Sequence, residues 1–506
     1  MFLSKSNYVS FCQCSKMLWL KINKPEEEII NDFDKATMEK GTEVGKIAQK
    51  YFNNAVDVTI LTNNKPNLLK MIENTQNEIT KGSTVICEAS FEYDDLFCSV
   101  DILKKEKNGW AIYEVKSSTY DTKVDKKVEL YFEDIAFQKY ILKKRGINIT
   151  NTYLMQINKD YVFDGNLNIH KLFVVSDVTE KVLKVEEDIF YNLNEAKQIF
   201  NQKQEPNVDL SINCDSPYKC GFWKYCSNHL PSPSVFDIYN LYFKDKINFY
   251  KNGFISYTDL KSSNFITNKI QLRQIDYYLN NKKTYVNKTK INEFLDTLTY
   301  PLYFLDFETV MPIVPKYVGS KPYDQIPFQY SLHYIEKKGG KLKHKEFLAK
   351  TGEDPREALA KQLCEDIPKN VCVLAYYKSF ECSRIKELAK QFPLLKDHLL
   401  NIESNIKDLI IPFKNGYYYN KAMGGSFSIK SVLPAIFPND PKLNYDNLQQ
   451  VQNGTDAMTV FSNLEKMNPT DQKIARNNLL EYCKLDTYAM VKIWQELKKY
   501  QSDTKE

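Results

Sequence analysis

The segment LFCSVDILKKEKNGWAIYEVKSS, residues 96–118, reads as a β-hairpin. Asn108-Gly109 is the strongest two-residue turn signal, and β-forming residues flank it on both sides. If Lys107 pairs with Trp110, Asp101 lies opposite Lys116 and diagonal to Glu114, so all three share one face with Trp110 and Ile112. An apolar stripe that runs into Asp, Glu and Lys at one strand end is odd for a core and natural for a site. Two carboxylates can hold one or two divalent metals, and a lysine ammonium can stabilise charge developing on a phosphate. The same pattern also arises as cross-strand charge pairing on a solvated face, so the hairpin needs support from elsewhere.

The cysteines supply it. Cys214, Cys220 and Cys226 are evenly spaced in CDSPYKCGFWKYC, and Cys14 in CSKMLWL is a distant fourth candidate, with Cys12 as its competitor. Four thiolates can hold an iron–sulfur cluster or zinc. Zinc knuckles usually show Cys-x2-Cys, so five-residue gaps with one remote ligand favour a cluster that clamps the two ends of a domain. The opening MFLSKSNYVSFCQCSKMLWL is broken by Lys5, Asn7, Gln13 and Lys16 and lacks the apolar block of a secretory signal, which predicts a cytoplasmic protein. A reducing compartment disfavours disulfides among the eleven cysteines and leaves metal binding or burial.

At 506 residues the chain has room for two or more domains. A composition of 43% hydrophobic and 26% charged residues excludes fibrous and mainly disordered polymers. Apolar runs such as VCVLAYY from Val371 stop far short of a bilayer span, so no membrane association is expected. The stretch LPSPS, Leu230 to Ser234, breaks helix and marks a boundary. Near Tyr300 a Lys- and Asn-rich region gives way to the apolar run PLYFLDF. The predicted divisions are therefore 1–230, a basic and mostly helical connector at 231–299, and 300–500, with SDTKE as a frayed tail. Between Thr258 and Lys290, seven basic residues face two acidic ones, and Phe265, Tyr277, Tyr278 and Tyr285 interleave them. That mixture serves a single-strand groove equally with a solvated connector holding a few core aromatics.

The run PLYFLDFETV places Asp306 and Glu308 on one strand face directly after buried-type residues. Downstream, ARNNLLEYCKLDTYAMVKIWQELKKY reads as a helix with Leu480, Cys483, Met490, Val491, Trp494 and Leu497 apolar. Tyr482 and Asp486 share a face of it, where Asp486 can ligate a metal and Tyr482 can orient a water. Between them, VCVLAYYKSFECSRIKELA reads as strand, turn and helix, with Glu381 entering the helix as a further carboxylate and Asp408 as a spare. Three or four carboxylates around two metals suit in-line phosphodiester cleavage, although each acid taken alone reads more readily as a surface charge. In KAMGGSFSIKSVLPAIFP, Gly424-Gly425 and Lys430 could cradle a phosphate, but a turn with Ser428 capping a short helix is the stronger reading.

With these residues in view, residues 1 to about 230 resemble a RecB-family PD-(D/E)XK nuclease domain with a four-cysteine cluster, similar to the CRISPR-adaptation exonucleases. The resemblance implies Asp101, Glu114 and Lys116 as metal and catalytic residues and Gln138 as the downstream glutamine. Leu142 stands where the family usually has tyrosine, and KGTEVGKIAQKYF has Gly45 where many members place a metal-binding histidine. Residues 300–500 resemble the DnaQ-like DEDD exonucleases of ribonuclease H-like fold, in the tyrosine-bearing subtype, with Glu381 where a member usually has Asp. PLYFLDFET, PYDQIPFQYSLH and GSFSIKSVLP together resemble an uncharacterised bacterial family that fuses the two. What the resemblance implies is an α/β protein acting as a metal-dependent nuclease, mainly an exonuclease, in DNA processing or repair. It further implies Mg2+ or Mn2+ at Asp101, Glu114, Asp306, Glu308 and Asp486, a 4Fe-4S cluster with zinc as the alternative, and DNA as partner in preference to RNA. The rival is a nucleic-acid-binding protein in which one or both sites are inactive.

Overall fold

The computed structural model describes residues 2–30, 32–123, 125–263 and 265–501, so the SDTKE tail lies outside the described residues. The chain is a mixed α/β protein that divides into two compact units, one of residues 1–229 with 312–323, the other of residues 230–311 with 324–506. Among the described residues no helix is long and apolar enough to cross a membrane.

The first unit is built on a seven-stranded mixed sheet. Its strands are β1 (Leu3–Ser4), β2 (Ala55–Asp57), β3 (Val85–Tyr93), β4 (Leu96–Glu106), β5 (Gly109–Thr119), β6 (Ile149–Ile157) and β7 (Phe173–Asp177). The path runs β2-β3-β4-β5-β6-β7, and β1 lies parallel to the start of β4, with Leu3 against Leu96. Helix α1 (Lys5–Gln13) follows β1 at once, because the Ser4 hydroxyl accepts from the Asn7 amide and caps it. Then come α2 (Ser15–Asn23), α3 (Asp32–Gln49) and α4 (Lys126–Lys144), which Asp125 caps through the amides of Lys127 and Val128. Helix α4 is buried along much of its length, with Ile135, Ala136, Phe137, Ile141 and Leu142 packing on Leu103, Ile112 and Leu154 of the sheet. Leu142, at the position of a usual tyrosine, is therefore core.

The expected hairpin forms, but in a different register. Ile102 pairs with Tyr113 and Glu106 with Gly109, so Lys107 and Asn108 make the turn and continuation of the ladder sets Asp101 opposite Glu114 instead of Lys116. The shift is two residues, which preserves the shared face. Neither Asn108 nor Gly109 adopts the positive φ that an Asn-Gly turn demands. Glycine is needed at 109 for another reason: a Cβ there would stand 2.5 Å from the carbonyl oxygen of Asn148.

The second unit carries a five-stranded sheet of β8 (Leu302–Val310), β9 (Ile326–Ile335), β10 (Lys343–Leu348), β11 (Cys372–Ala375) and β12 (Ile406–Asp408), ordered β10-β9-β8-β11-β12. The first three are antiparallel neighbours, while β8, β11 and β12 run parallel. Helices α5 (Pro355–Asp366) and α6 (Ser379–Gln391) cover one face through Leu359, Leu363, Ile385 and Leu388. The long α7 (Pro469–Lys498) lies on the other: Gln329 donates to the Leu479 carbonyl at 2.8 Å and the Ser331 and Thr487 hydroxyls meet at 2.7 Å. Among the described residues, 231–299 form four α-helices, a short 3-10 turn and one short strand within this unit, closing a small core of Val235, Ile238, Tyr257, Leu260, Ile266 and Ile275.

Candidate functional site

In the second unit, alternation along β8 turns Asp306 and Glu308 to the face that α7 covers, and the helical repeat brings Cys483 over them. One ligand atom each from Asp306, Glu308 and Cys483 lies within 4.8 Å of the others, the single such group among the described residues. The Cys483 sulfur is 3.9 Å from Asp306 Oδ2. Asp486, one turn on, accepts a 2.6 Å hydrogen bond from the Tyr445 hydroxyl. Burial raises the Asp306 carboxyl well above its ordinary range, with Asp486 and Glu308 adding repulsion, and does the same for Glu308. Burial also pushes Asp486 up to about 6, against hydrogen bonds from Tyr445 and Tyr482 that favour its charged form. Glu381, at the start of α6, is 2% exposed, is pushed up to about 8 by burial, and has one carboxylate oxygen buried without a hydrogen-bond partner. None of these four acids forms an ion pair among the described residues. Lys430 is the nearby cation: its ammonium lies over the rings of Tyr445 and Tyr482 and donates to the Gln452 carbonyl at 3.0 Å.

Asp408 reaches this group only through its charge, which acts on Glu381. It accepts from the amides of Tyr377, Lys378 and Ile410 and so fastens the turn after β11. Ser428 caps the helix Ile429–Ile436. Gly425, at φ +84, makes room for Gln274, whose side chain would meet a Cβ there at 2.5 Å. Close packing is what Gly425 serves, whereas Gly424, at φ +58 with open space around it, ends the short helical turn Lys421–Met423 in the left-handed conformation. In the basic segment, Asp276 pairs with Lys282 at 2.7 Å, Lys290 pairs with Glu293, and the Arg273 guanidinium lies 3.5 Å over the Tyr285 ring. Tyr277 packs edge-on against Tyr285 and Tyr419, while Phe265 and Tyr278 are exposed.

In the first unit Asp101, Glu114, Lys116 and Gln138 converge as their sheet face and helix α4 dictate. Lys116 meets Glu114 at 2.6 Å, and Gln138 donates to Glu114 at 2.7 Å. Asp101 Oδ2 accepts the Val115 amide at 2.8 Å. Sequence reasoning missed three members. Asp134, one turn before Gln138, pairs with Lys116 at 2.8 Å, and its i, i+4 relation to Gln138 was the available signal. Glu88 on β3 has φ +54 and is pushed up to about 7 by burial and by the charge of Asp101. Lys5, on α1, places its ammonium 3.1 Å from Glu114, 3.5 Å from Asp101 and 3.7 Å from Asp134. Burial works against the charge on Glu114, yet Lys116 and Lys5 hold its carboxyl well below the usual range. Burial likewise opposes the Lys116 ammonium, and Asp134 and Glu114 outweigh it. Asp101 is pushed up to about 6 by burial and by Glu114. Gly45, on α3, has open space around it.

The four cysteines also gather. Cys14 stands between α1 and α2, and Gln13 beside it donates to the carbonyls of Asn213 and Tyr218 at 2.8 and 2.7 Å, tying the helix to the cysteine loop. Cys220 donates its amide to the Cys214 carbonyl. Burial pushes Cys220 up to about 12 and Cys226 up to about 11, and each feels the charges of Cys14 and Cys214. Cys12 faces Tyr8 and Glu133 instead. No three of the four sulfurs lie within 4.8 Å of one another, whereas a tetrahedral zinc, with bonds of about 2.3 Å, would draw them to about 3.8 Å.

Residues 303–428 match the family described as "Domain of unknown function (DUF2779)". The chain is also similar to the uncharacterized protein MG366 of Mycoplasma genitalium, at 24% identity over 457 residues, covering 78% of this chain and 67% of that protein.

Proposed function

We propose that the chain is a metal-dependent nuclease, acting as an exonuclease in DNA processing or repair, with its working centre at Asp306, Glu308 and Asp486. The observation that carries this reading is the gathering of Asp306, Glu308 and Asp486, the last two buried, with no ion-pair partner among the described residues. Burying such charges uncompensated costs several kcal/mol each, on the order of what a bound cation returns. Asp306, Glu308 and Asp486 would hold Mg2+ or Mn2+, which when bound polarises a phosphate and makes a nearby water acidic. Tyr482 orients the attacking water through its hydroxyl, Tyr445 holds Asp486, and Lys430 offers positive charge to the phosphate. A ribonuclease H-like identity is supported by the mixed sheet with its acids on the central strand and the last helix across them.

In the first unit the reading is a PD-(D/E)XK-like domain braced by a 4Fe-4S cluster on Cys14, Cys214, Cys220 and Cys226. The five-residue gaps between Cys214, Cys220 and Cys226, with Cys14 as a remote fourth ligand, support the cluster over zinc. Iron with acid-labile sulfide in protein purified without oxygen is the expected result, and zinc alone defeats this part. The exposed Phe265 and Tyr278 among lysines support a nucleic-acid partner, DNA before RNA.

The test is cleavage of end-labelled single- and double-stranded DNA and RNA with Mg2+ or Mn2+, comparing the native chain with Asp306→Ala, Lys116→Ala and the double variant. Cleavage lost in Asp306→Ala and kept in Lys116→Ala is expected. Cleavage unchanged in Asp306→Ala sinks the assignment. A native chain that shifts the strands without cutting them replaces the enzyme with a binding protein.

A further inference from the structure

The two acidic clusters differ in one respect that the sequence does not announce. In the second, among the described residues, no lysine or arginine forms an ion pair with Asp306, Glu308, Glu381 or Asp486. In the first, Asp101, Glu114 and Asp134 surround the Lys5 ammonium within 3.7 Å, and Lys116 closes the far side. Three carboxylates converging on one cation is what a divalent metal would otherwise receive. Mg2+ or Mn2+ needs oxygens at about 2.1 Å and cannot share that position with an ammonium group.

Lys5 is not a surface lysine folded in by chance of rotamer. It is the first residue of α1, whose start is set by the Ser4 cap and by pairing of Leu3 with Leu96. The helix body is anchored by Tyr8, fully buried, stacked 5.0 Å from Phe137 and donating to Glu133 at 2.9 Å. Its far end is tied by Gln13 to the cysteine loop.

We propose that Lys5 is a built-in cation that takes the place of a divalent metal at the Asp101–Glu114 cluster, so that this cluster binds metal only when Lys5 is withdrawn. The inference does not depend on catalysis at the second cluster.

Mn2+ binding to the full-length chain, followed by electron paramagnetic resonance, tests it. In an Asp306→Asn/Asp486→Asn background, the chain with Lys5 takes up no Mn2+ that depends on Asp101. Adding Lys5→Met creates one new Mn2+ site, which Asp101→Asn then removes, whereas Lys5→Arg keeps the site closed. Asp101-dependent Mn2+ binding in the Lys5-bearing background overturns the proposal, and that arm needs no Lys5 variant to fold. A folded Lys5→Met chain that gains no Mn2+ overturns it as well. If the native chain binds no Mn2+ at Asp306 and Asp486, the nuclease reading fails while the Lys5 result stands by itself.

Discussion

The Tyr445 hydroxyl donates a 2.6 Å hydrogen bond to Asp486, and the residues come from parts of the chain 41 positions apart. This bond favours the ionised form of an acid that burial pushes up to about 6. Tyr445→Phe removes the donor, so the Asp486 carboxyl rises further. Activity should fall about tenfold, and the acidic limb of the pH–rate profile should move to higher pH. An unmoved limb would mean that Tyr445 is only packing.

The pH dependence of stability in metal-free protein follows from the same cluster. Glu381, at about 8, and Asp486, at about 6, sit above their unfolded values, so the native state binds more protons than the unfolded one across pH 8 to 5. Stability therefore rises as pH falls through that window. Glu114 acts oppositely, but its contribution is lost only under strongly acidic conditions. Thermal unfolding in EDTA should show a higher Tm at pH 5.5 than at pH 8, and Mg2+ should reverse the order. A Tm that drops on acidification within this range would contradict it.

Glu381 supplies a sharper version. Glu381→Gln keeps the shape and removes the charge whose oxygen has no partner. It should stabilise the metal-free chain by about 1–3 kcal/mol above pH 8 and by less at pH 6. Urea midpoints at the two pH values measure this, and equal or reduced stability would show that Glu381 is satisfied after all.

Lys116→Met leaves Glu114, itself 1% exposed, with one ammonium fewer. A loss of about 3 kcal/mol is expected, because the buried carboxylate is left undercompensated. Cleavage assigned to the second cluster should persist at temperatures where the variant is folded. Denaturant unfolding read together with the nuclease assay separates stability from activity.

Gly425→Ala tests the packing role of Gly425. The new Cβ meets Gln274 at 2.5 Å on a backbone with φ +84. Destabilisation of about 2–3 kcal/mol should follow, with no change in the salt dependence of nucleic-acid binding. A weakened salt slope at native stability would instead restore the phosphate nest.

Local periodicity made part of this architecture legible. Residues two apart on a strand share a face, which put Asp306 beside Glu308, and residues four apart on a helix share one, which put Tyr482 beside Asp486. The same rule applied to α4 would have added Asp134 to Gln138. The hairpin was visible too, but its register was not: the Asn-Gly signal misassigned the turn because Gly109 answers to the approach of Asn148 and not to φ.

By itself, then, the sequence determined which side chains share a face of one element, because pleat and helical repeat are properties of neighbouring residues. Only the tertiary structure decided which faces meet and which charges are answered. Lys5 reaches Glu114 across 109 positions and Tyr445 reaches Asp486 across 41, contacts made by packing that leave no periodic trace. For that reason two acidic constellations that look alike in sequence end differently, one paired with Lys5 and Lys116 and the other without an ion-pair partner among the described residues.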